Sequence, residues 1–545
     1  MRKIFTLLLL CCTFLASAQL SETDKLYATA KIWGFLKYYH PQVAKGKFDW
    51  DKELQDIVQK TKSANDKEQL SEIYFDWING LGEIPNCKSC AKSSGKKSFD
   101  KNFDLSWTQS PELFTPELSA RLKHIENNRA QGNLYYADSF KNTKQLEPKN
   151  EAPYLNSDWK NENIRLIALF RYWNQVEYFY PYKYMTDEKW DDVLKRMLPK
   201  FVSTTSETNY HLALRELVVC LDDSHANLYS PKLKEHFGEY YAPFDYKIID
   251  DMAVVSELFD EAICISNDIK IGDIIQVPVA DSLASQWKYL SGSNPDVKRR
   301  SAFATLLNGN TKSVNVTFLR DGKPIEKTIP RDIFKNFKPK EKPQTSPWKI
   351  MDGNIGYVNM GTLEFDIKRV GRMMDSLKGT KAIIFDIRNY PNGTVYLIGR
   401  ELFEKSKPFV RFIFPDFSYP GKFLFKEAHE VGRSHKNYYK GKVILLVNEQ
   451  TQSHAEFTVM AFQAAPNVTT IGSQTAGADG NVSLVEFPGG LKSYITGLGV
   501  FYPDGTETQR KGVKIDIEIR PTVQRIASGK DEVLEKAIEV ANRGN

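Results

Sequence analysis

The chain has 545 residues, 41% of them apolar or aromatic and 26% charged, with a formal net charge of +6. That length calls for roughly two to four domains rather than one core. The charge is small and Lys and Arg are interspersed with Asp and Glu, which excludes a nucleic-acid-binding surface and describes a mixed solvated one.

Residues 1–18, MRKIFTLLLLCCTFLASA, set Arg2 and Lys3 before an apolar stretch from Ile4 to Leu15 and an Ala16-Ser17-Ala18 cleavage signature. This is the pattern of a secretory signal peptide cut near Ala18, so the mature chain is expected in the periplasm or outside the cell. No later stretch reaches about 18 unbroken apolar residues, so no membrane span is expected.

Residues 19–90 and 156–239 read as two copies of one helical segment. At an offset of 140 residues, Leu26 to Leu54 aligns without a gap on Leu166 to Leu194, with Trp33/Trp173, Pro41/Pro181, Trp50/Trp190 and Asp51/Asp191 among the identities. Each copy predicts a helix with an aromatic stripe, a turn at the proline and a second helix near the second tryptophan. The stripe reads as core packing. Further along the same offset, Gly80-Leu-Gly-Glu-Ile-Pro85 faces Cys220-Leu-Asp-Asp-Ser-His225. The second copy therefore has a histidine where the first has proline, a candidate general base. Cys87-Lys-Ser-Cys90 admits a redox pair, half a zinc site or a local disulfide. Pro85 before it and a polar run after it favour a structural disulfide or plain thiols. Residues 91–155 are polar and predict a linker with one helical patch, Pro116 to Asn128.

Residues 240–335 change to short strands: FDYKII, MAVVSEL, AICI, GDIIQVP, SVNVTFL and KTIPR. They predict a small β domain. From 348 to 545, β and α segments alternate: GNIGYVNM, a helix around Phe365 to Leu377, the strand KAIIFDIR, a helix from Val395 to Phe403, VILLV and a further helix. VTTIG, a hairpin through Pro488-Gly-Gly490 and a terminal helix from Lys530 to Val540 follow. The fold class is α/β.

VILLV is apolar on both faces, as an inner strand of a covered parallel sheet requires, and the turn after it leads to Ser453, His454 and Glu456 at a helix start. A helix start offers unpaired N–H groups and a positive dipole end to a developing oxyanion. Locally, Ser453 equally suits a helix cap.

The strand KAIIFDIR with its turn Asn389-Tyr-Pro-Asn-Gly393, then NEQTQSHAEF, SQTAGADG and PDGTETQRKGVKIDIEIRP in this order, resembles the catalytic domain of the tail-specific (C-terminal-processing) serine peptidases. The resemblance implies a crotonase-like peptidase core, and residues 240–335 resemble the PDZ domains that accompany such enzymes. Members that pair serine with lysine carry the lysine in a T-x-G-K segment, where this chain has Thr475-Ala-Gly-Ala478. The tricorn-type branch instead takes a histidine from an upstream Ser-His pair, matched by Ser224-His225. The resemblance thus implies Ser453 as nucleophile, His225 as base, Ser224 as its support, and the N–H groups of Gly393 and His454 as oxyanion donors. The glutamate that completes the relay in that branch is replaced by Gln509, and Glu507 lies two residues earlier. Chemistry agrees, because a neutral serine hydroxyl needs a base within hydrogen-bond reach to take its proton.

The expectation is a secreted serine endopeptidase acting on peptides or polypeptides through an acyl-enzyme, with no metal or organic cofactor. The alternative is a non-catalytic binder of hydrophobic ligands or peptides, since the interphotoreceptor retinoid-binding proteins resemble the same fold.

Overall fold

The computed structural model describes residues 20–90, 98–276, 286–303, 305–339 and 345–543. The predicted leader, residues 1–18, lies outside the described residues. The chain divides into two compact units, Met1–Lys92 with Asp104–Ala130, and Ser93–Phe103 with Gln131–Asn545.

The first unit is helical: Glu22–Tyr39, Trp50–Thr61, Lys67–Gly80 and Pro116–Asn127, with Ser21, Asp49, Asp66 and Thr115 as N-caps whose side chains accept first-turn N–H groups. Trp33 Nε1 donates to the carbonyl of Trp50 at 2.9 Å and Trp50 Nε1 donates back to that of Trp33 at 3.1 Å. Cys87 and Cys90 form a disulfide.

The second unit contains the other copy. Its helices Glu162–Phe179 and Trp190–Val202 bury Trp173 and Trp190, which exchange the same two hydrogen bonds, at 2.8 and 3.0 Å. The tryptophan pair thus satisfies its indole donors and fills the core at once. Third in this copy is helix Glu207–Val219, which ends immediately before the Asp222–His225 segment. The predicted linker over 91–155 needs correction. Asp104–Ala130 belongs to the first unit, whereas Ser98–Phe99 pairs with Phe423–Phe425 and the strands Ala137–Ser139 and Leu146–Pro148 form a hairpin of the second.

The β domain is one antiparallel sheet of five strands in the order Phe244–Ile249, Met252–Leu258, Ile274–Gln276, Ser313–Arg320 and Lys323–Pro330. AICI, expected as a strand, lies instead in the helix Glu261–Ser266. Asp260 caps it by accepting the Ile263 N–H at 3.1 Å, a local signal that outweighs the β-branched isoleucines.

The C-terminal part is built on a sheet of six strands in the order Ile517–Glu518, Val468–Gly472, Lys442–Val447, Ala382–Asp386, Ile355–Asn359 and Trp348–Met351. All neighbours are parallel except the last pair. Alternation sends Val443, Leu445 and Val447 to one face, against helices Ile367–Leu377, Val395–Leu402 and His454–Gln463, and Ile444 and Leu446 to the other, against helix Glu532–Asn542. Two covered faces account for the unbroken apolar run in VILLV. Beside this layer, the strands Lys407–Pro415 and Gly499–Phe501 pair antiparallel, and Val482–Glu486 forms a hairpin with Lys492–Thr496. Among the described residues no helix is long and apolar enough to cross a membrane.

Candidate active site

Ser453 follows strand Lys442–Val447 through the turn Asn448–Gln452 and is the N-cap residue of helix His454–Gln463. Its backbone holds φ +56° and ψ −122°, a conformation sparsely populated by residues with a Cβ. Two interactions hold it there. Its N–H donates to the carbonyl of Ala478 at 2.9 Å and to Glu456 Oε2 at 3.2 Å. Glu456, fully buried, also accepts from Thr475 Oγ1 at 2.6 Å, Gly477 N at 2.8 Å and Ala478 N at 2.9 Å. Burial raises its carboxyl above the ordinary glutamate value, and these donors oppose that rise. Glu456 therefore bolts segment 475–478 to the serine turn. Gly477 in that segment has φ +63°, and a Cβ there would come within 2.7 Å of the Arg510 backbone. Glu456→Ala strands the buried donors of Thr475, Gly477 and Ala478. We expect it to lower unfolding free energy by about 3 to 5 kcal/mol in denaturant titration and to weaken active-serine labelling in parallel; labelling at the wild-type rate would mean that the turn holds without the bolt.

His225 is brought in by the end of helix Glu207–Val219. Asp222, at φ +48°, turns the chain, and its carboxylate accepts from Asp187 N and Lys298 Nζ at 2.8 and 2.9 Å. Ser224 and Ser293 exchange hydrogen bonds at 2.8 and 2.9 Å between one backbone N–H and the other's hydroxyl. Ser224, expected to support the imidazole, fixes this loop instead.

The partner of His225 is Asp223. Its Oδ1 lies 3.2 Å from His225 Nδ1 and accepts the His225 backbone N–H at 3.0 Å, and Thr496 Oγ1 lies 3.0 Å from the same Nδ1 while donating to Asp223 Oδ2 at 2.5 Å. With the threonine hydrogen committed to the carboxylate, both acceptors face Nδ1, which must carry the proton. That leaves Nε2 as the lone-pair nitrogen, and it is buried with no hydrogen-bond partner among the described residues. Burial works to raise the Asp223 carboxyl, yet the hydrogen bonds from His225 and Thr496 and the histidine's charge bring it below the ordinary aspartate value. For His225 burial works downward, and Asp223 overcomes it to raise the imidazole above its ordinary value.

The expected third members lie elsewhere. Glu507 accepts from Lys101 Nζ, Tyr184 Oη and Lys511 Nζ at 2.8 to 2.9 Å; against burial, which raises it, these partners hold its carboxyl down at about 2. A carboxylate so engaged has no bond to an imidazole. Gln509 is fully buried, and among the described residues neither its Oε1 nor its Nε2 has a hydrogen-bond partner. Of the expected oxyanion donors, Gly393 has φ +75° in the turn before helix Val395–Leu402, and His454 opens the serine helix, where its N–H has no acceptor within the helix.

Ser453, His225 and His454 line one cavity of about 880 Å³ with Asp479. Asp479 follows Ala478, is buried, and holds Gly480 N at 2.7 Å with one oxygen while Oδ2 has no partner. Burial, and then the charge of Glu456, push its carboxyl up to about 8. Folded Asp479 keeps its proton between the ordinary aspartate range and about 8, where the unfolded chain has released it, so stability falls as pH rises through that interval and the loss is complete above it. Asp479→Asn removes this dependence. Its melting temperature is expected to exceed that of the parent more at pH 9 than at pH 5 by calorimetry, and an equal offset at both pH values would rule out a buried neutral acid here.

A strained serine at a strand-to-helix turn and a histidine oriented by a buried aspartate thus line one cavity. Residues 354–519, which contain the Ser453 turn, match the family model described as peptidase family S41. The chain carries an S41 peptidase domain over these residues and is a serine-type peptidase. No curated protein matches it by sequence. Among solved structures it is similar in fold to mature CPAF complexed with lactacystin, at 14% identity and TM-score 0.55, covering 70% of this chain and 98% of that one. The photosystem II D1 C-terminal processing protease matches at 17% identity and TM-score 0.39, covering 68% and 98%. The tricorn protease matches at 16% identity and TM-score 0.34, covering 70% of this chain and 36% of that one.

Proposed function

We propose that the protein is a secreted serine endopeptidase in which Ser453 attacks the scissile carbonyl and His225 Nε2 takes the hydroxyl proton. Asp223, with Thr496, holds the proton on Nδ1 and stabilises the imidazolium that forms, the part earlier expected of Glu507 or Gln509. The N–H groups of Gly393 and His454 receive the oxyanion, each worth about 3 kcal/mol of barrier when placed on it. The imidazolium then protonates the leaving amine, and water, deprotonated by the same nitrogen, releases the acyl group from Ser453.

The observation that carries this reading is the unpartnered, buried Nε2 of His225 in the cavity that Ser453 lines. No bond yet joins it to the serine, and such bonds commonly tighten only when substrate arrives. The N-terminal leader pattern and the Cys87–Cys90 disulfide support an oxidising compartment outside the cytoplasm. The five-stranded domain, read as PDZ-like, serves in this proposal to position the substrate chain.

The test is covalent labelling by a fluorophosphonate. Strong labelling of the parent, none of Ser453→Ala and slow labelling of His225→Ala is the expected pattern. A folded parent that stays unlabelled would remove Ser453 as nucleophile. Labelling should rise with pH through a value above that of an ordinary histidine, because the base acts only when neutral and Asp223 raises its pKa.

A further inference from the structure

We infer that the Ser453 cavity selects acidic polypeptide, binding substrate segments in which Asp or Glu side chains neighbour a large apolar residue. This rests on the peptidase reading above and names its substrate class.

Three cations line the cavity, and each comes from a different element. Lys144 lies in the hairpin loop before Leu146–Pro148, held at φ +69° with its N–H on the carbonyl of Phe140. Arg300 lies on helix Pro295–Phe303, and Lys426 follows strand Phe423–Phe425 with its N–H on the carbonyl of Phe412. None of the three has an ion-pair partner among the described residues; Arg300 donates to the backbone carbonyl of Glu449 and feels that residue's carboxylate without pairing with it. Elsewhere in this unit, comparable cations are engaged: Lys298 with Asp222, Arg320 with Asp273, Lys183 with Glu177.

Among the described residues the lining contains one carboxyl, Asp479, which keeps its proton up to about pH 8. Burial lowers the His429 and His454 imidazoles, so neither adds nor cancels charge at neutral pH. At neutral pH the three cations therefore meet no ionised carboxylate within the described lining itself, the one acting on Arg300 being that of Glu449 outside it, and walls of low dielectric focus the field on whatever enters. The same lining holds aromatic rings: Phe412 stacks on Phe457 at 6.3 Å, and Tyr396 meets Phe457 edge-on at the same distance. A peptide that fits such a lining brings a carboxylate to the cations and a bulky apolar side chain to the rings. A basic peptide would bring like charge to a site that has no anion to receive it.

The test uses the full chain with a chymotryptic peptide library read by mass spectrometry, in the parent and in the double variant Lys144→Glu, Lys426→Glu. Both positions are exposed, so the substitutions leave the core intact. The parent is expected to enrich Asp and Glu over Lys and Arg about fivefold within a few residues of new termini at low ionic strength, with the bias shrinking in salt. The variant should lose or invert the bias while fluorophosphonate still labels it at Ser453. No acidic enrichment, an enrichment unchanged in the variant, or labelling without cleavage of any library peptide overturns the inference and leaves the serine assignment standing. Absence of both labelling and cleavage overturns the peptidase reading, and the inference with it.

Discussion

Asp223→Asn is expected to lower kcat by about four orders of magnitude while leaving the fold and KM nearly unchanged. An asparagine is the same size, so the backbone N–H of His225 keeps its acceptor if the amide oxygen takes the place of Oδ1. The amide nitrogen then faces Thr496 Oγ1, where the carboxylate had accepted a hydrogen bond at 2.5 Å. Amide and hydroxyl cannot both donate along that line, so the amide donates and the threonine hydrogen turns toward His225 Nδ1, 3.0 Å away, where it competes with the Nδ1 proton that the amide oxygen still accepts at 3.2 Å. The base loses the carboxylate charge that stabilises its imidazolium and part of the hold on its tautomer. With the amide flipped, its nitrogen faces the histidine N–H and the local turn is broken instead. Single-turnover acylation in the variant, beside its circular dichroism, separates these outcomes from unfolding. Glu507→Gln is the control, since Glu507 is bound to Lys101, Tyr184 and Lys511, and it should keep kcat within about threefold, the scale expected of a residue outside the reacting unit. A reversed ranking of the two variants would return the triad to the C-terminal motif.

The distance of each signal along the chain explains what was readable. VILLV declared a strand buried on both faces because alternation has nowhere polar to point, and the two cores on either side of Lys442–Val447 are that statement in three dimensions. The duplication was readable because Trp33 and Trp173 need the same indole partners at the same spacing. His225 stood out as a departure within that repeat. Its acid did not, although Asp223 lies two residues away. Motif alignment directed attention to Gln509 and Glu507, while Asp223 works through a side-chain bond to the i+2 N–H, which Asp makes in many ordinary turns. Thr496 and Asp479 carry no pattern of their own, and only tertiary folding puts Thr496, 271 residues on, against the imidazole. The helix Glu261–Ser266 shows the opposite error, where apolar identity outweighed an Asp cap.

Ser453→Gly is expected to abolish catalysis, with kcat down by about six orders of magnitude, and to make the protein more stable. Both follow from one residue. In the proposed mechanism the hydroxyl is the reacting group, so its removal leaves only binding and the oxyanion donors to act on the substrate. The backbone at φ +56°, ψ −122° strains any residue with a Cβ, at a cost of about 1 to 3 kcal/mol, and Ala478 and Glu456 hold it in place against that strain. Glycine takes this conformation freely, and its extra entropy when unfolded returns roughly 0.5 to 1 kcal/mol of the gain. Ser453→Ala keeps the strain and loses the chemistry, so it isolates the first effect. Calorimetry of both variants beside fluorophosphonate labelling reads the pair. A glycine variant no more stable than the alanine variant would mean that the turn stores no strain, and turnover within a hundredfold of the parent in either would take the nucleophile away from Ser453. The expected ordering, glycine above serine in stability and at zero in activity, would show that the fold holds its nucleophile in a conformation that it maintains at the expense of its own stability.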